Sequence, residues 1–293
     1  MPRLGKFVFS FVLFVIVCYG GLVWFVNHEV EKGFNEAVAG VDGLKVAYDD
    51  IWVSITDQTV TLTAVDATLP DGQQMAAKEI VVHAFDERNP VPHFIRAQVK
   101  GMQYAPTQMG GALALGSAMF GLERLNGDMY VDYRYDTNAN SLTLNNFSFD
   151  DQKIGKLELS GTMTDLDLDQ FRMEKLVGLR IANAELTFMN RSFFSTFMQR
   201  AAETMRIPEA QATEELISEL NKQAQMAGNS DNKVAENALL GLKDFVADPG
   251  SIVISATPAE PVPYLYLFMG RDVYENMRLM NLTVKAAPAQ GVQ

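Results

Sequence analysis

The alternation of polar and apolar side chains in residues 59–82, TVTLTAVDATLPDGQQMAAKEIVV, restricts the fold of this chain more than any other feature. Threonines flank Val60 and Leu62, the Pro-Asp-Gly triplet at 70–72 interrupts the alternation, and residues 80–82 are apolar again. Successive side chains of a β-strand point to opposite faces, and Pro, Asp and Gly favour turns. The segment therefore predicts a β-hairpin with one apolar face that must lie against something.

The same pattern recurs in residues 141–160, SLTLNNFSFDDQKIGKLELS, and partly in residues 179–190, LRIANAELTFMN. These copies are imperfect and shorter than the repeats of most solenoid proteins, so they predict successive hairpins of one sheet. Alternation returns near the C-terminus, and these late strands are expected to rejoin the early sheet. Two such sheets, or one sheet covered by helices, would bury the apolar face.

A second constraint is the stretch of 20 uncharged residues at 7–26, FVFSFVLFVIVCYGGLVWFV. As a helix it is long enough to cross a hydrocarbon layer of about 30 Å. Arg3 and Lys6 precede it, and basic residues are retained on the cytoplasmic side of a membrane. We therefore expect a single-pass transmembrane anchor, with a short cytoplasmic N-terminus and the bulk of the chain on the other side.

A cleaved signal peptide is the alternative interpretation of this stretch. The apolar run is longer than the usual signal core of roughly 7 to 15 residues. The nearest pair of small residues spaced for cleavage, at 37–39, lies too far from its end. An uncleaved anchor is therefore favoured.

The pattern divides the chain into three parts. Residues 1–26 form the cytoplasmic tip and anchor, and residues 27–43 a short amphipathic helix that continues the anchor or packs on the domain beside it. Residues 44–288 form one domain with strands at 44–188, helices at 191–247 and strands again at 251–286. The predicted fold class is α+β and β-rich: a transmembrane helix, then twisted antiparallel sheet with a late helical segment packed on it.

The Gly- and Ala-rich segment 107–127 interrupts the strand pattern. It is too short to span a bilayer. A packed core helix or buried hairpin is favoured over a segment that dips into the membrane.

Residues suited to catalysis or metal binding are scarce. The only cysteine, Cys18, lies in the predicted anchor, and His28, His83 and His93 lack the spacing of a metal motif. Nucleotide-binding glycine motifs and the serine elbow of hydrolases are absent from the sequence. We therefore expect no cofactor, no metal and no enzymatic activity.

The charge balance restricts the partners. Beyond residue 26 the chain holds 22 basic and 36 acidic residues, a net charge of −14. Such a surface disfavours nucleic acid and electrostatic docking on anionic lipid. The predicted partners are the membrane itself and a lipid or protein.

Three aspartates at alternate positions, Asp165, Asp167 and Asp169, resemble the start of a calcium loop. That loop needs Gly at its sixth position and Glu at its twelfth, where this chain has Gln170 and Leu176. The spacing instead predicts a solvated face of a strand.

Aromatic and methionine residues form a stripe in the first of the late helices. The stripe consists of Phe193, Phe194, Phe197, Met198 and Met205. One interpretation is a helix side that faces the core. The other is the wall of an apolar groove for an acyl chain, since methionine adapts to irregular apolar shapes.

Residues 46–82, VAYDDIWVSITDQTVTLTAVDATLPDGQQMAAKEIVV, following a single anchor, resemble the opening of AsmA-type bacterial envelope proteins. The segments GGLVWFVNHEVEKGFNEAV and FFSTFMQRAAETMRIPEAQATEELISELNKQA are similar to YdgA-type inner-membrane-anchored periplasmic proteins. The AsmA-like resemblance implies strand repeats that form an apolar groove implicated in moving phospholipid. Together they imply a bacterial inner-membrane protein with its domain in the periplasm.

The leading hypothesis is a non-enzymatic, anchored envelope protein that offers an apolar sheet face to a lipid or another apolar ligand. The alternative is a structural or regulatory subunit of an inner-membrane complex, whose acidic surface binds a partner. An enzyme is the third and least favoured class.

Overall fold

One large antiparallel sheet organises the protein. The computed structural model describes residues 2–86, 88–89, 91–105, 124–168, 178–267 and 272–289; the side chains before Cys18 and those of Tyr19 and Ala37 lie outside that description. The strands are β1 (Lys45–Ala47), β2 (Asp50–Ser54), β3 (Thr59–Thr68), β4 (Gln74–Phe85), β5 (Phe94–Tyr104), β6 (Leu125–Asp136), β7 (Ser141–Asp151), β8 (Gly155–Thr164), β9 (Arg180–Asn190), β10 (Ser251–Ala256), β11 (Val262–Pro263) and β12 (Leu282–Ala287).

The strand order is β1-β3-β4-β5-β6-β7-β8-β9-β10-β12, with β2 also paired to β3 and β11 paired to β9. From β3 to β9 each strand lies beside its neighbours in sequence, as successive hairpins require. The late strands β10 and β12 join the same sheet. The prediction of an α+β, strand-rich fold with a large antiparallel sheet and late helices is confirmed.

Five helices accompany the sheet within the described residues. They are α1 (Pro2–Ala39), α2 (Phe193–Met205), α3 (Glu209–Asn229), α4 (Lys233–Ala247) and α5 (Val273–Leu279), with a short 3-10 helix at Tyr264–Leu267. The predicted juxtamembrane segment is continuous with the first helix. Among the helices of the described residues, none is both long and apolar enough to cross a membrane.

The boundaries of the late helices follow local chemistry. Helix α2 is followed by its C-cap Arg206, which has a left-handed φ of 58°, and Pro208 is the N-cap that precedes α3. The side chain of Asn232 accepts a hydrogen bond from the backbone N–H of Ala235 and so caps α4.

The helices pack at the two ends of the sheet. At one end, Val30 and Phe34 of α1 pack against a cluster that contains Ile51 and Leu62. At the other end, α4 lies along β12 and α2 packs on the buried side chains near β10. The cluster beside α1 also includes Ala77 of β4 and Val99 of β5, with Met129 and Phe149 at its edge, but none of the described helices has extensive backbone contact with β4 to β8.

The aspartate run after β8 differs from its prediction. The strand ends at Thr164, and Asp165 has a left-handed φ of 59°, so the run is not a strand face. Leu166 and Leu168 turn inward beside Tyr135, whose hydroxyl donates a hydrogen bond to the Leu166 carbonyl at 2.8 Å. Burial of two leucines in this short loop overrides the alternation. Asp169 lies outside the described residues, as does most of the predicted segment 107–127.

Candidate binding surfaces

Rows of apolar side chains cross one face of the sheet at right angles to the strands. We call this the apolar face. The first row is Leu62, Ile80, Val99, Met129, Phe149, Leu157, Phe188, Ile252 and Ala286. The second row is Val60, Val82, Ala97, Val131, Phe147, Leu159, Leu186, Ile254 and Val284. Directly paired residues share a face, as do residues two apart on a strand, so both rows lie on the same side.

The opposite face of the sheet is polar. Its row between the two apolar rows is Thr61, Val81, Gln98, Tyr130, Ser148, Glu158, Thr187, Val253 and Lys285. Ion pairs such as Lys100–Glu79, at 2.7 Å, also lie on this side. The sheet is therefore amphipathic across its whole width, which is about 38 Å from β3 to β12 at about 4.8 Å per strand spacing.

Burial along the apolar face is uneven. Its most buried side chains lie outside β6 to β8: Leu62 is 4% exposed, Val99 6% and Ile252 5%, although other residues there, such as Phe188, are half-buried. On β6, β7 and β8, which we call the middle strands, the residues of both rows are only half-buried. A strand packed against a second layer alternates between buried and exposed residues. After its first residue, β8 shows no such alternation, because every side chain is half-buried.

Hydrogen-bonded carboxylates stabilise the loops that follow β4 and β7. Asp86, after β4, accepts hydrogen bonds from the side chain of Asn89 at 2.7 Å and from the backbone N–H groups of His93 and Arg88. These bonds stabilise the charged form, the Asn89 bond most, and lower the pKa of Asp86 to about 2. Asp151 accepts bonds in the same way from the N–H groups of three residues, Asn126, Lys153 and Ile154.

The predicted Phe/Met stripe divides into two groups. Phe194 and Met198 are 9% and 3% exposed and belong to the core cluster of the helical end. Phe193 stacks edge-on against Phe188 of β9, with ring centroids 5.4 Å apart. These three side chains therefore hold α2 on the sheet.

The rest of the stripe lines a second candidate surface, which we call the helix groove, between α2 and α3. Phe197 and Met205 form one wall together with an edge of the buried Met198, Leu216 lies opposite, and the groove encloses about 520 Å³. That volume is within the range of ligand pockets. Glu215 and Glu219 also line it, and none of its lining residues is basic.

Metal chemistry has no support in the described part of the chain, where no group of three or more His, Cys, Asp or Glu side chains could hold an ion. His83 is exposed on β4, and His28 stacks on Trp24 with ring centroids 5.7 Å apart. The sequence predicts an apolar sheet face without singling out any of its residues as a site, and it gives no sign of the α3 wall of the helix groove. Alternation of polar and apolar residues was the available signal for the apolar face, whereas the α3 wall of the groove depends on the angle between two helices.

Comparison with known proteins adds little to these observations. A family model described as "Uncharacterized protein" matches residues 148–292, slightly less than half of the chain. The match extends from β7 to the end of the chain and so includes the helical end of the sheet. A search of curated proteins found no significant match.

Proposed function

We propose that this protein is a non-enzymatic, membrane-anchored envelope protein that binds a lipid through the apolar face of its middle strands. The observation that carries this proposal is the pair of continuous apolar rows, which are half-buried on the middle strands; Met129 and Phe149 pack at the edge of the α1 cluster, and no described helix has extensive backbone contact with these strands. A contiguous apolar surface that stays partly exposed is typical of a ligand or partner site.

The dimensions of the middle strands suit an acyl chain. The three middle strands cover about 10 Å at about 4.8 Å per spacing. This is about two thirds of the hydrocarbon depth of a single leaflet, which is about 15 Å or half of the usual core. The two rows lie about 7 Å apart along the strands, so the face offers two parallel rows of apolar side chains rather than a single cavity.

The apolar face begins beside α1, the helix that contains the uncharged segment 7–26. The side chain of Asn27 accepts a hydrogen bond from the backbone N–H of Val53 in β2 at 2.6 Å, which fixes the helix to this edge of the sheet. A lipid that left the membrane near the helix would therefore meet the sheet at the start of its apolar rows.

The anchor part of the proposal rests on the sequence of residues 7–26 and on the exposed side chains at its end. Leu22, Trp24 and Phe25 are 50%, 69% and 55% exposed, although all three are large and apolar. Exposed apolar side chains with a tryptophan near the end of the segment are typical of a membrane interface. The basic residues before it and the AsmA-like and YdgA-type resemblance support a bacterial inner membrane with the sheet in the periplasm. A C-terminal reporter active only in the cytosol would contradict this orientation.

The test uses the full chain purified in mild detergent and measured by native mass spectrometry. Wild-type protein is expected to carry lipid. Val131→Asp places a charge on the apolar face of β6 and should reduce the lipid-bound fraction at least fivefold. Tyr130→Asp is the matched control, because Tyr130 is also half-buried and neighbours Val131 but lies on the polar face.

Circular dichroism melts of both variants would show that each remains folded. A milder variant, Phe147→Gln, covers the case in which Val131→Asp unfolds. Wild-type protein without lipid, or equal lipid loss in the Val131 and Tyr130 variants, would contradict lipid binding by this face.

The alternative function, a structural or regulatory subunit of a membrane complex, is supported by the burial of Phe194 and Met198 in the core. Their burial makes that part of the stripe inaccessible to lipid. This function predicts a stable protein partner in crosslinked membranes and purified protein free of lipid.

A further inference from the structure

The helix groove differs in charge from the apolar face. Its floor is apolar, but Glu215 and Glu219 lie one helical turn apart on α3 and line the same wall. Both carboxylates accept hydrogen bonds from glutamines of their own helix, Gln211 for Glu215 and Gln223 for Glu219. The Gln223 bond, with help from Lys222, lowers the pKa of Glu219, so this wall is negatively charged at neutral pH.

These carboxylates argue against a fatty acid or anionic lipid in the groove. An anionic headgroup would lie beside two like charges, which disfavours binding. A basic group of a ligand would instead form ion pairs with the two carboxylates, while apolar groups of the same ligand would pack against the apolar side chains of the groove. The chemistry of the groove therefore favours a cationic occupant with an apolar side.

The shape of the groove favours a helix. Its α2 wall runs from Phe197 to Met205, about 12 Å at 1.5 Å per residue, or slightly more than two helical turns. Amphipathic helices bind such grooves through apolar residues spaced three or four apart. Met205 is 51% exposed at the open end, and methionine adapts well to varied apolar partners.

We propose that the helix groove between α2 and α3 is a docking site for a cationic amphipathic helix of a partner protein. The groove is held rigidly, because Phe194 and Met198 fix α2 to the core while Arg206 and Pro208 set the turn between the two helices. This site uses residues other than those of the middle strands, so it can be correct whether or not the sheet binds lipid.

The test is site-specific photocrosslinking of the full chain in membranes of its source organism. Benzoylphenylalanine at position 205 is compared with the same residue at position 226, because Met205 and Met226 are similarly exposed, at 51% and 47%. The expected result is a protein adduct at position 205 at least tenfold stronger than at position 226. Mass spectrometry of the adduct should identify a segment with Lys or Arg on one side of an apolar helical stripe.

Charge dependence separates docking from incidental contact. Glu215→Gln combined with Glu219→Gln should reduce the adduct at position 205 about tenfold, and raised salt should do the same. Asp244→Asn, an exposed change on α4, should leave it unchanged. The two glutamates are exposed, so a melting curve matching wild type is expected for the double variant.

Three outcomes would overturn the proposal: equal adducts at positions 205 and 226, an adduct that maps to an acidic segment or a lipid, or an adduct unaffected by the double glutamine variant. Because lipid content is measured separately on the Val131 variant, failure of docking here is distinguishable from failure of lipid binding.

Discussion

The ends of the apolar face and its middle strands carry the same kinds of side chain but differ in what covers them. At the helical end, Phe188 and Ile252 pack beneath α2 with Phe194 and Met198. In the middle strands, Phe149 and Leu157 continue the same row and, like Phe188, are half-buried, but neither belongs to the cluster beneath α2. The two regions therefore share a sequence pattern and differ in their tertiary environment.

The difference shows that a strand of this sheet can be fully paired with its neighbours while its apolar side chains are only partly buried. The ends derive stability from buried apolar surface, at about 25 cal/mol for each Å². The middle strands instead depend more on the backbone ladder and on the carboxylate of Asp151, which holds the turn after β7. An apolar row that contributes less to folding is available for a ligand.

The largest expected difference is between two truncations in the same row. Ile252→Ala removes a buried side chain and should reduce the free energy of unfolding by about 3.5 kcal/mol. Leu157→Ala removes a half-buried one and should cost about 1 kcal/mol, because less apolar surface returns to water. Urea unfolding of the two variants measures both values. Equal costs would show that the middle strands are covered as well as the ends.

A smaller effect tests how closely α4 lies against β12. A Cβ added at Gly241 would lie 2.3 Å from the carbonyl oxygen of Val284, a backbone atom that cannot move aside easily. Gly241→Ala should therefore destabilise the protein by about 2 kcal/mol in urea unfolding.

Gly33→Ala on α1 is the matched control, because a Cβ there meets nothing within 4 Å. Alanine favours a helix over glycine by about 1 kcal/mol, so this variant should be neutral or more stable. Equal destabilisation by both changes would contradict the close packing of α4 on the sheet edge.

The smallest effect concerns the loop that follows β4. Because its pKa is lowered from 3.8 to about 2 in the folded protein, Asp86 stabilises the fold above pH 4. That contribution is lost as the pH falls from about 4 to about 2. Asp86→Asn should flatten the decline in stability over this range, as measured by melting temperature at each pH. An unchanged decline would mean that Asp86 does not hold the loop.

The sheet was predictable from sequence because period-two alternation in residues 59–82 and 141–160 is a local signal for strands with one apolar face. The division of the Phe/Met stripe into core residues and groove residues was not predictable from sequence, because Phe194 and Phe197 have the same chemistry and differ only in what the fold places opposite them. The loss of the strand pattern at Asp165 depends on a distant contact, the burial of Leu166 beside Tyr135.

The most direct test of lipid binding by the middle strands is to map where a lipid touches the sheet. The full chain is reconstituted with a phospholipid that carries a diazirine in its acyl chain, irradiated, and digested for mass spectrometry. Adducts are predicted on Val131, Phe147 and Leu159 and not on their neighbours of the polar face, Tyr130, Ser148 and Glu158. Equal labelling of both sets, or labelling confined to α1, would contradict the account.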